Sequence, residues 1–247
     1  MTNSKLNIFP LGCSGLVCYL SDSISMETNN LVHAFSEYLR IKIMTKITAV
    51  VPSYHSISIF YDSLNFSYTE IKQEINHHFN HYNRSKIKRE QAIYEIPICF
   101  SSTFGTELQK VAEHNKLITE DVVQLYLETK YPIYMIGFIP GFPYLGGLNP
   151  KLSTPRLIKP KIVLKGSVGI AGNQTGIYPF DSPGGWNIIG RTPISIFSIK
   201  NNGTENFKPG DLVKFFEINI EGFNQIEQLV KEDNYSIKKE VRFIDSH

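Results

Sequence analysis

The stretch that decides the fold begins Gly137-Phe-Ile-Pro-Gly-Phe-Pro-Tyr-Leu-Gly-Gly-Leu148 and continues, rich in glycine, to residue 190. Eleven of the chain's 17 glycines lie in residues 137–190, where short apolar runs alternate with turn residues. This alternation is typical of a β-barrel or a β-sandwich. The glycine-rich half of the chain is therefore predicted to be built from short strands.

Residues 131–150 carry no charged side chain and superficially resemble a membrane span. They contain four prolines and four glycines, and no regular helix tolerates that density of helix-breaking residues. We interpret them as a buried strand that runs into a rigid loop, and we predict no contact with a membrane.

The residues before this stretch alternate between strand and helix patterns. Apolar residues at helical spacing predict a helix over residues 29–40, and the capping box Ser67-x-x-Glu70 predicts the start of a second helix. Extended structure is predicted for residues 8–20, 47–51, 57–61 and 94–100. The resulting order is a split βαββαβ unit, in which helices cover one face of a sheet.

These patterns predict an α+β protein with two domains and a tail. Residues 1–92 form the N-terminal split βαββαβ domain. Residues 93–220 form the β-rich domain, which starts with two short helices at 106–115 and 119–128. Residues 221–247 are polar with a weak helical pattern, and we expect them to form a C-terminal appendage.

Composition excludes several classes of protein. The chain has 247 residues, 42% hydrophobic and 19% charged, as in a folded globular protein. A net charge of +2 is too small to indicate binding to nucleic acid. The three cysteines form no C-x-x-C motif, and the first five residues lack the apolar segment of a signal peptide. We expect free thiols and a cytoplasmic location.

Charge is distributed unevenly in the glycine-rich part. Between Glu128 and Glu205 the sequence has a single acid, Asp181. The same interval holds the basic residues Lys130, Lys151, Arg156, Lys159, Lys161, Lys165, Arg191 and Lys200. A surface with this bias favours a small anionic ligand such as a carboxylate or a phosphate. The alternative is that the lysines only keep a loop-rich surface soluble.

Asp181 is the first candidate for a catalytic group, and Arg191 is the second. Asp181 lies five residues before Trp186, the only tryptophan of the chain. Its carboxylate suits the orientation of a substrate amide or the exchange of a proton, but it suits equally the capping of a turn at residues 183–184. Arg191 suits bidentate binding of a carboxylate, or else pairing with Asp181.

Other common sites have weaker support. Residues 166–172 follow the pattern Gly-x-x-Gly-x-x-Gly, which is neither a P-loop nor a dinucleotide fingerprint and which tight turns explain equally well. No histidine lies between His114 and His247, so the glycine-rich region has no Ser-His-Asp triad of its own. His77 and His81 have the spacing of a metal pair, but a solvated helix face is the favoured interpretation, and we predict no metal site.

Three long motifs stand out together: residues 137–148, Ala171-Gly-Asn-Gln-Thr-Gly-Ile-Tyr-Pro179, and Asp181-Ser-Pro-Gly-Gly-Trp-Asn-Ile-Ile-Gly-Arg-Thr-Pro193. Shorter motifs are Glu95-Ile-Pro-Ile-Cys99, Phe104-Gly105 and Pro209-Gly-Asp211. In this combination the chain resembles the allophanate hydrolase subunit 1 family, which includes the KipI-type proteins. The resemblance extends over about residues 6–218.

The resemblance implies an α+β N-terminal domain followed by a cyclophilin-like β-barrel of the carboxyltransferase type. It implies one component of an ATP-dependent 5-oxoprolinase, which hydrolyses the cyclic amide C–N bond of 5-oxo-L-proline to give L-glutamate while ATP and water become ADP and phosphate. Such a component is active only with its partners, a homologous-fold C-type subunit and a barrel-type A subunit. ATP, with Mg²⁺, is expected at a site shared with a partner. The alternative within the family is a non-catalytic KipI-type inhibitor of a sporulation-type histidine kinase.

The resemblance also implies the site residues. The aspartate of the Asp-Ser-Pro-Gly-Gly motif lines the substrate site in urea carboxylase relatives, so Asp181 and Arg191 are predicted as catalytic residues. Substrate contacts are predicted at Gln174, Thr175, Tyr178, Ser182, Gly184, Gly185, Pro140, Gly141, Phe142 and Tyr144. We expect these residues to bind a small anionic substrate at a site shared with a partner subunit.

Overall fold

The computed structural model of the chain describes residues 6–82, 88–197 and 207–245. The chain divides into two compact units. The first consists of Met1–Gln91 together with Arg242–His247, and the second consists of Ala92–Val241.

The first unit is a four-stranded antiparallel sheet with two helices. Its elements are β1 (Asn7–Pro10), β2 (Gly15–Tyr19), α1 (Met26–Lys42), β3 (Ile47–Ser53), β4 (Ser56–Tyr61) and α2 (Tyr68–His81). The strand order in the sheet is β1-β2-β4-β3. Phe35 and Leu39 of α1 and Ile71 and Ile75 of α2 are fully buried in one core with the sheet.

The predicted order βαββαβ differs from the observed order at both ends. Residues 8–20 form two strands instead of one, because Gly12, at φ +65°, lies in a turn that folds β2 back onto β1. The strand predicted at residues 94–100 belongs to the sheet of the second unit. The capping box is confirmed: Glu70 N–H donates to Ser67 Oγ at 3.3 Å, and Ser67 N–H donates to Glu70 Oε2 at 2.8 Å.

The second unit contains most of the remaining strands and three helices. Its elements are β5 (Lys88–Ile98), α3 (Leu108–Asn115), α4 (Thr119–Leu127), β6 (Lys130–Ile136), β7 (Pro143–Leu145), β8 (Lys161–Val163), β9 (Ser167–Ala171), β10 (Gln174–Ile177), β11 (Ser182–Gly184), β12 (Asn187–Arg191), β13 (Leu212–Glu217), α5 (Ile220–Lys231) and β14 (Lys239–Asp245), the first and last of which extend beyond the unit. Eight strands form a sheet of order β12-β9-β10-β7-β6-β13-β5-β14, and β8 and β11 form a separate two-stranded sheet.

The expected cyclophilin-like barrel is not closed. The sheet brings β12 back to the end of β5, where Cys99 and Arg191 exchange two backbone hydrogen bonds of 2.9 and 3.0 Å. In the described part of the chain, this isolated bridge occupies the position where a continuous ladder of hydrogen bonds would close the barrel. A continuous ladder is prevented because β14 occupies the outer edge of β5. The result is a curled, mixed sheet within an α/β unit.

Residues 131–150 form a strand followed by an irregular segment, as predicted. The strand is β6, and β7 pairs with it antiparallel after the loop at residues 137–142. The segment after residue 220 starts with α5, which buries Phe223. No helix among the described residues is both long enough and apolar enough to cross a membrane.

Candidate functional site

An open cleft in the second unit is enclosed mainly by aromatic side chains. Its volume is about 290 Å³, close to the lower limit for pockets that bind small molecules. The aromatic walls are Phe142, Tyr144, Tyr178 and Trp186, and Arg156 lines the same cleft. An apolar box with one cation suits a small ligand that combines an apolar ring with a negative charge.

The loop at residues 137–142 and strand β7 supply one wall. The loop is held closed because Gly137 N–H donates to the Phe142 carbonyl oxygen and Phe142 N–H donates to the Ile139 carbonyl oxygen, both at 3.1 Å. Phe142 is thereby fixed at the end of the loop, and Tyr144 follows in β7. The alternating strand geometry and the closed loop give both side chains one defined position.

Phe142 is the centre of the aromatic cluster. Its ring centroid lies 4.9 Å from that of Tyr144, 5.1 Å from that of Tyr178 and 5.3 Å from that of Trp186. The rings of Tyr178 and Trp186 meet it edge to face, the arrangement that aromatic quadrupoles favour by about 0.5–1.5 kcal/mol per pair. Gly176 of β10 allows this packing, because a Cβ there would lie 2.8 Å from the Phe142 ring.

The two tyrosines of the cleft are hydrogen-bond donors at neutral pH. Burial raises the pKa of Tyr178 to about 12, against a smaller lowering by the backbone N–H of Trp186, which donates to the phenol oxygen. Burial also raises the pKa of Tyr144, and the positive charge of Arg156 opposes that shift. Both phenols therefore keep their protons at neutral pH, so each is a hydrogen-bond donor and not a phenolate.

Arg156 supplies the positive charge of the cleft. It is solvent-exposed, and its charge acts on both Tyr144 and Tyr178. No carboxylate among the described residues lies within ion-pair distance of its guanidinium. An uncompensated guanidinium beside phenol donors is a suitable partner for a carboxylate.

Asp181 and Arg191 lie outside the lining of this cleft, on either side of Lys165. Lys165 N–H donates to Asp181 Oδ1 at 2.6 Å, and Arg191 Nε donates to the Lys165 carbonyl oxygen at 2.8 Å. The Arg191 guanidinium also lies 5.7 Å from the ring centroid of Phe104 and 5.8 Å from that of Phe223. Asp181 and Arg191 do not pair directly. Their catalytic role stays a prediction.

The comparisons with known proteins decide the family. The family model described as carboxyltransferase domain, subdomain C and D, matches residues 6–206 of the chain. The chain belongs to this carboxyltransferase family.

Within the carboxyltransferase family, the chain is similar to the B-type 5-oxoprolinase subunit of Bacillus subtilis (strain 168), with 33% identity over 91% of the chain and 98% of that protein. It is similar to the B-type 5-oxoprolinase subunit of Haemophilus influenzae, with 36% identity over 87% of the chain and 100% of that protein. The Kluyveromyces lactis urea carboxylase structure matches with a TM-score of 0.81 over 98% of the chain and 24% of that protein, and its 16% identity shows a shared fold alone. The family resemblance of the motifs is confirmed.

Three further residues that were predicted to contact the substrate in this carboxyltransferase-family chain lie at the cleft or next to it. Gly184 and Gly185 line the cleft with Tyr178, Phe142 and Tyr144. Ser182 lies in β11, one residue before the lining, and its buried Oγ has no hydrogen-bond partner among the described residues.

Four residues predicted to contact the substrate do not line the cleft: Pro140, Gly141, Gln174 and Thr175. Thr175 is in the core, where it donates to the Gly169 carbonyl oxygen at 2.8 Å and its hydroxyl lies 2.8 Å from that of Tyr126. Gln174 is half-buried at the start of β10, and Pro140 is exposed in the loop at residues 137–142. Gly141, at φ +79°, allows that loop to turn.

The glycine pattern of residues 166–172 is a strand between two turns. Gly166 and Gly172 have φ of +80° and +56°, and β9 lies between them, buried along its whole length. Gly169 allows close packing behind the cleft, because a Cβ there would lie 3.0 Å from Trp186 Cβ. Strand β9 therefore packs behind Trp186 of the cleft. Because its glycines lie in a strand and two turns, this segment does not form an open loop that could bind a phosphate.

A second cleft, of about 690 Å³, lies beside α4. It is larger, but Glu120, Glu128 and Glu217 line it and no basic residue does. Such a lining repels an anion, so the smaller cleft with Arg156 is the better candidate for an anionic substrate.

The histidine pair and the basic residues identified in the sequence have different surroundings. The rings of His77 and His81 lie 4.3 Å apart, and within residues 6–82, 88–197 and 207–245 no group of three or more His, Cys, Asp or Glu side chains is placed to hold a metal ion. Lys161 is ion-paired with Glu107 at 2.6 Å. Lys200 lies outside the described residues.

Sequence reasoning did not include Arg156, Trp186 and Phe138 among the site residues, although all three line the cleft. The available signals were weak. Arg156 was one of eight basic residues in an acid-poor region, and Trp186 was noted only as a neighbour of Asp181.

Proposed function

We propose that this chain is the B-type component of an ATP-dependent 5-oxoprolinase, a hydrolase complex, and that the aromatic cleft binds 5-oxo-L-proline. Two relatives with this name are similar to the chain over nearly their full length. The observation that carries the substrate assignment is the combination of an aromatic box with the uncompensated guanidinium of Arg156. The ligand is a small ring with one carboxylate, and the cleft offers a counterpart for each part.

In this proposal the substrate carboxylate binds to Arg156, and the ring lies against the aromatic walls. The lactam carbonyl then points toward the phenols of Tyr144 and Tyr178, which are protonated at neutral pH. When the carbonyl carbon is attacked, its oxygen takes up negative charge, and fixed donors stabilise that charge. The buried side chains of Phe142 and Trp186 limit the access of water to the reacting bond.

The reaction breaks the ring C–N bond and adds water across it, and ATP hydrolysis drives it. Mg²⁺ with ATP is held by carboxylates and phosphate oxygens, whereas this cleft is lined by tyrosines, glycines and an arginine. The residues of the cleft do not form a Mg–ATP site by themselves. In the proposal, ATP is bound at a site that a partner provides or shares, in a cytoplasmic complex with a C-type and an A-type subunit.

Asp181 and Arg191 have a positioning role in this proposal. Together they fix Lys165 from its N–H and its carbonyl oxygen. Lys165 follows β8, whose pairing with β11 places Gly184 at the cleft. Asp181 and Arg191 thus affect the reaction by positioning residues 182–185.

The test is reconstitution of the complex. The chain is purified with its partner subunits, and release of glutamate from 5-oxoproline is measured with and without ATP. We expect release to require both ATP and this chain. Tyr178→Phe is expected to lower kcat about tenfold or more because it removes a donor to the carbonyl oxygen. Tyr235→Phe is the control, since burial raises the pKa of Tyr235 as well, but Tyr235 does not line the cleft.

Glutamate release that does not depend on the chain would overturn the proposal. Equal kcat for Tyr178→Phe and Tyr235→Phe would remove the cleft from the reaction. The kinase-inhibitor alternative predicts instead tight binding to a kinase dimerisation domain and no contribution to glutamate release. The names of the similar bacterial proteins favour the oxoprolinase.

A further inference from the structure

The mouth of the aromatic cleft is bordered by apolar side chains that the chain itself leaves uncovered. Ile158 is 98% exposed and Ile162 is 67% exposed. Phe138, Leu164 and Pro183 are also exposed, and Phe138 and Pro183 line the cleft. We refer to these five residues as the rim surface.

The rim surface adjoins the lining of the cleft. Ile162 of β8 and Pro183 of β11 are direct partners in the two-stranded sheet, while Val163 points to the opposite, buried side. Leu157 N–H donates to the Gly185 carbonyl oxygen at 2.7 Å, which ties the segment before Ile158 to the cleft. Exposed apolar residues that are contiguous, unlike scattered ones, mark an interaction surface.

Phe138 gives a second, independent sign of function. It has φ of +67°, a conformation that costs a bulky residue about 1–3 kcal/mol. Phe138 is nevertheless 71% exposed, and its ring centroid lies 6.2 Å from that of Phe142. Burial within the described chain does not offset the strain, so contact with another molecule is the more consistent explanation.

The charges around the rim surface define its partner. Lys159 and Lys165 are exposed, and neither forms an ion pair within the described residues, whereas Lys161 is compensated by Glu107. A second copy of this chain would place these lysines against each other, which like-charge repulsion disfavours. The complementary partner has an apolar centre flanked by carboxylates.

We propose that the rim surface is the docking site of a partner subunit that presents an apolar patch between carboxylates, and that docking closes the cleft over the substrate. The identity of the partner as an oxoprolinase component rests on the proposed function. Closure would exclude water from the aromatic box and strengthen the interaction of Arg156 with a carboxylate.

The experiment measures association separately from turnover. The chain and its variants are titrated with the purified partner subunits, and dissociation constants are determined. We expect Ile158→Asp and Lys159→Glu each to weaken association about tenfold or more, because Ile158 is 98% exposed on the rim surface and Lys159 is the exposed cation next to it. Leu64→Asp and Lys42→Glu are the matched controls: Leu64 is 94% exposed and Lys42 is exposed, and both belong to the first unit and not to the unit that carries the rim surface. The controls are expected to bind like the wild type.

Ile158 is almost fully exposed, so its substitution leaves the fold intact, and unchanged thermal unfolding verifies this. Equal dissociation constants for rim variants and controls would overturn the proposal. Loss of self-association by Ile158→Asp, with partner binding unchanged, would also overturn it. A wild-type chain that binds its partners but yields a complex without glutamate release refutes the proposed function alone, and the two failures are thereby distinguished.

Discussion

The hydroxyl oxygen of Tyr178 lies directly against Gly184, so closely that a side-chain carbon at residue 184 would overlap it. The contact joins the end of β10 to the Asp-Ser-Pro-Gly-Gly motif and fixes the phenol at the cleft. Gly184 is therefore required by packing against a site residue, and its conformation alone does not demand glycine.

Gly184→Ala is expected to displace Tyr178 and to destabilise the chain by about 1–3 kcal/mol, as overpacked cores do. Gly185→Ala is the matched control, because a Cβ there meets its nearest neighbour, the Leu157 carbonyl oxygen, at an ordinary 3.6 Å. Urea unfolding measures the free energies, and titration with 5-oxoproline measures the binding. Equal losses for the two variants would contradict this packing account.

Local features of the chain were predictable from sequence because local chemistry determines them. The capping box at Ser67 and Glu70 and the strand followed by a rigid loop in residues 131–150 depend on neighbours in the chain. The closure of the sheet was not predictable. It is limited by β14, which lies beside β5 although more than a hundred residues separate them in sequence, and no local period records such a pairing.

The candidate site was predictable in the same uneven way. Phe142, Tyr144 and Tyr178 were identified from motifs and line the cleft. Arg156 was not identified as a site residue because its position depends on the hydrogen bond from Leu157 to Gly185, between segments distant in sequence. Asp181 was identified for its isolation as an acid, yet the structure bonds its carboxylate to the backbone of Lys165.

Arg156→Gln is expected to raise KM for 5-oxoproline about ten- to a hundredfold, because a hydrogen bond to a charged group contributes about 1.5–3 kcal/mol. The KM of Arg156→Lys is expected to lie between those of Arg156→Gln and the wild type, since lysine keeps the charge but loses the bidentate geometry. Steady-state kinetics of the reconstituted complex provide the measurement.

Lys151→Gln is the control for net charge, because Lys151 is exposed in the 3-10 turn at Pro150–Leu152 and does not line the cleft. If Arg156→Gln and Lys151→Gln raise KM equally, general charge and not a specific contact attracts the substrate.

The raised pKa of Tyr178 predicts a loss of stability at alkaline pH. The ordinary pKa of tyrosine is near 10, and burial raises that of Tyr178 to about 12. Between these values the unfolded chain releases the proton while the folded chain retains it, so the free energy of unfolding falls as pH rises from about 10 to about 12. Below pH 10 the group makes no pH-dependent contribution.

Tyr178→Phe removes this contribution and is expected to show a shallower alkaline decline than the wild type. Urea unfolding at several pH values between about 9 and 12 measures the slopes. Identical slopes for wild type and Tyr178→Phe would show that this phenol is not held protonated by burial.

Asp181→Asn and Asp181→Ala separate a positioning role from a proton-transfer role. Asparagine keeps an oxygen that accepts from Lys165 N–H. If Asp181 acts through that bond, we expect Asp181→Asn to keep the free energy of unfolding close to that of wild type and the rate of glutamate release within about twofold of it. Alanine leaves the N–H without its partner, and we expect a loss of about 1 kcal/mol in the free energy of unfolding and a larger fall in kcat. If Asp181 instead carries a proton, Asp181→Asn should lower glutamate release as much as Asp181→Ala, because asparagine does not titrate. Kinetics of both variants in the reconstituted complex, together with their unfolding curves, therefore decide the role of the one acid in the glycine-rich region.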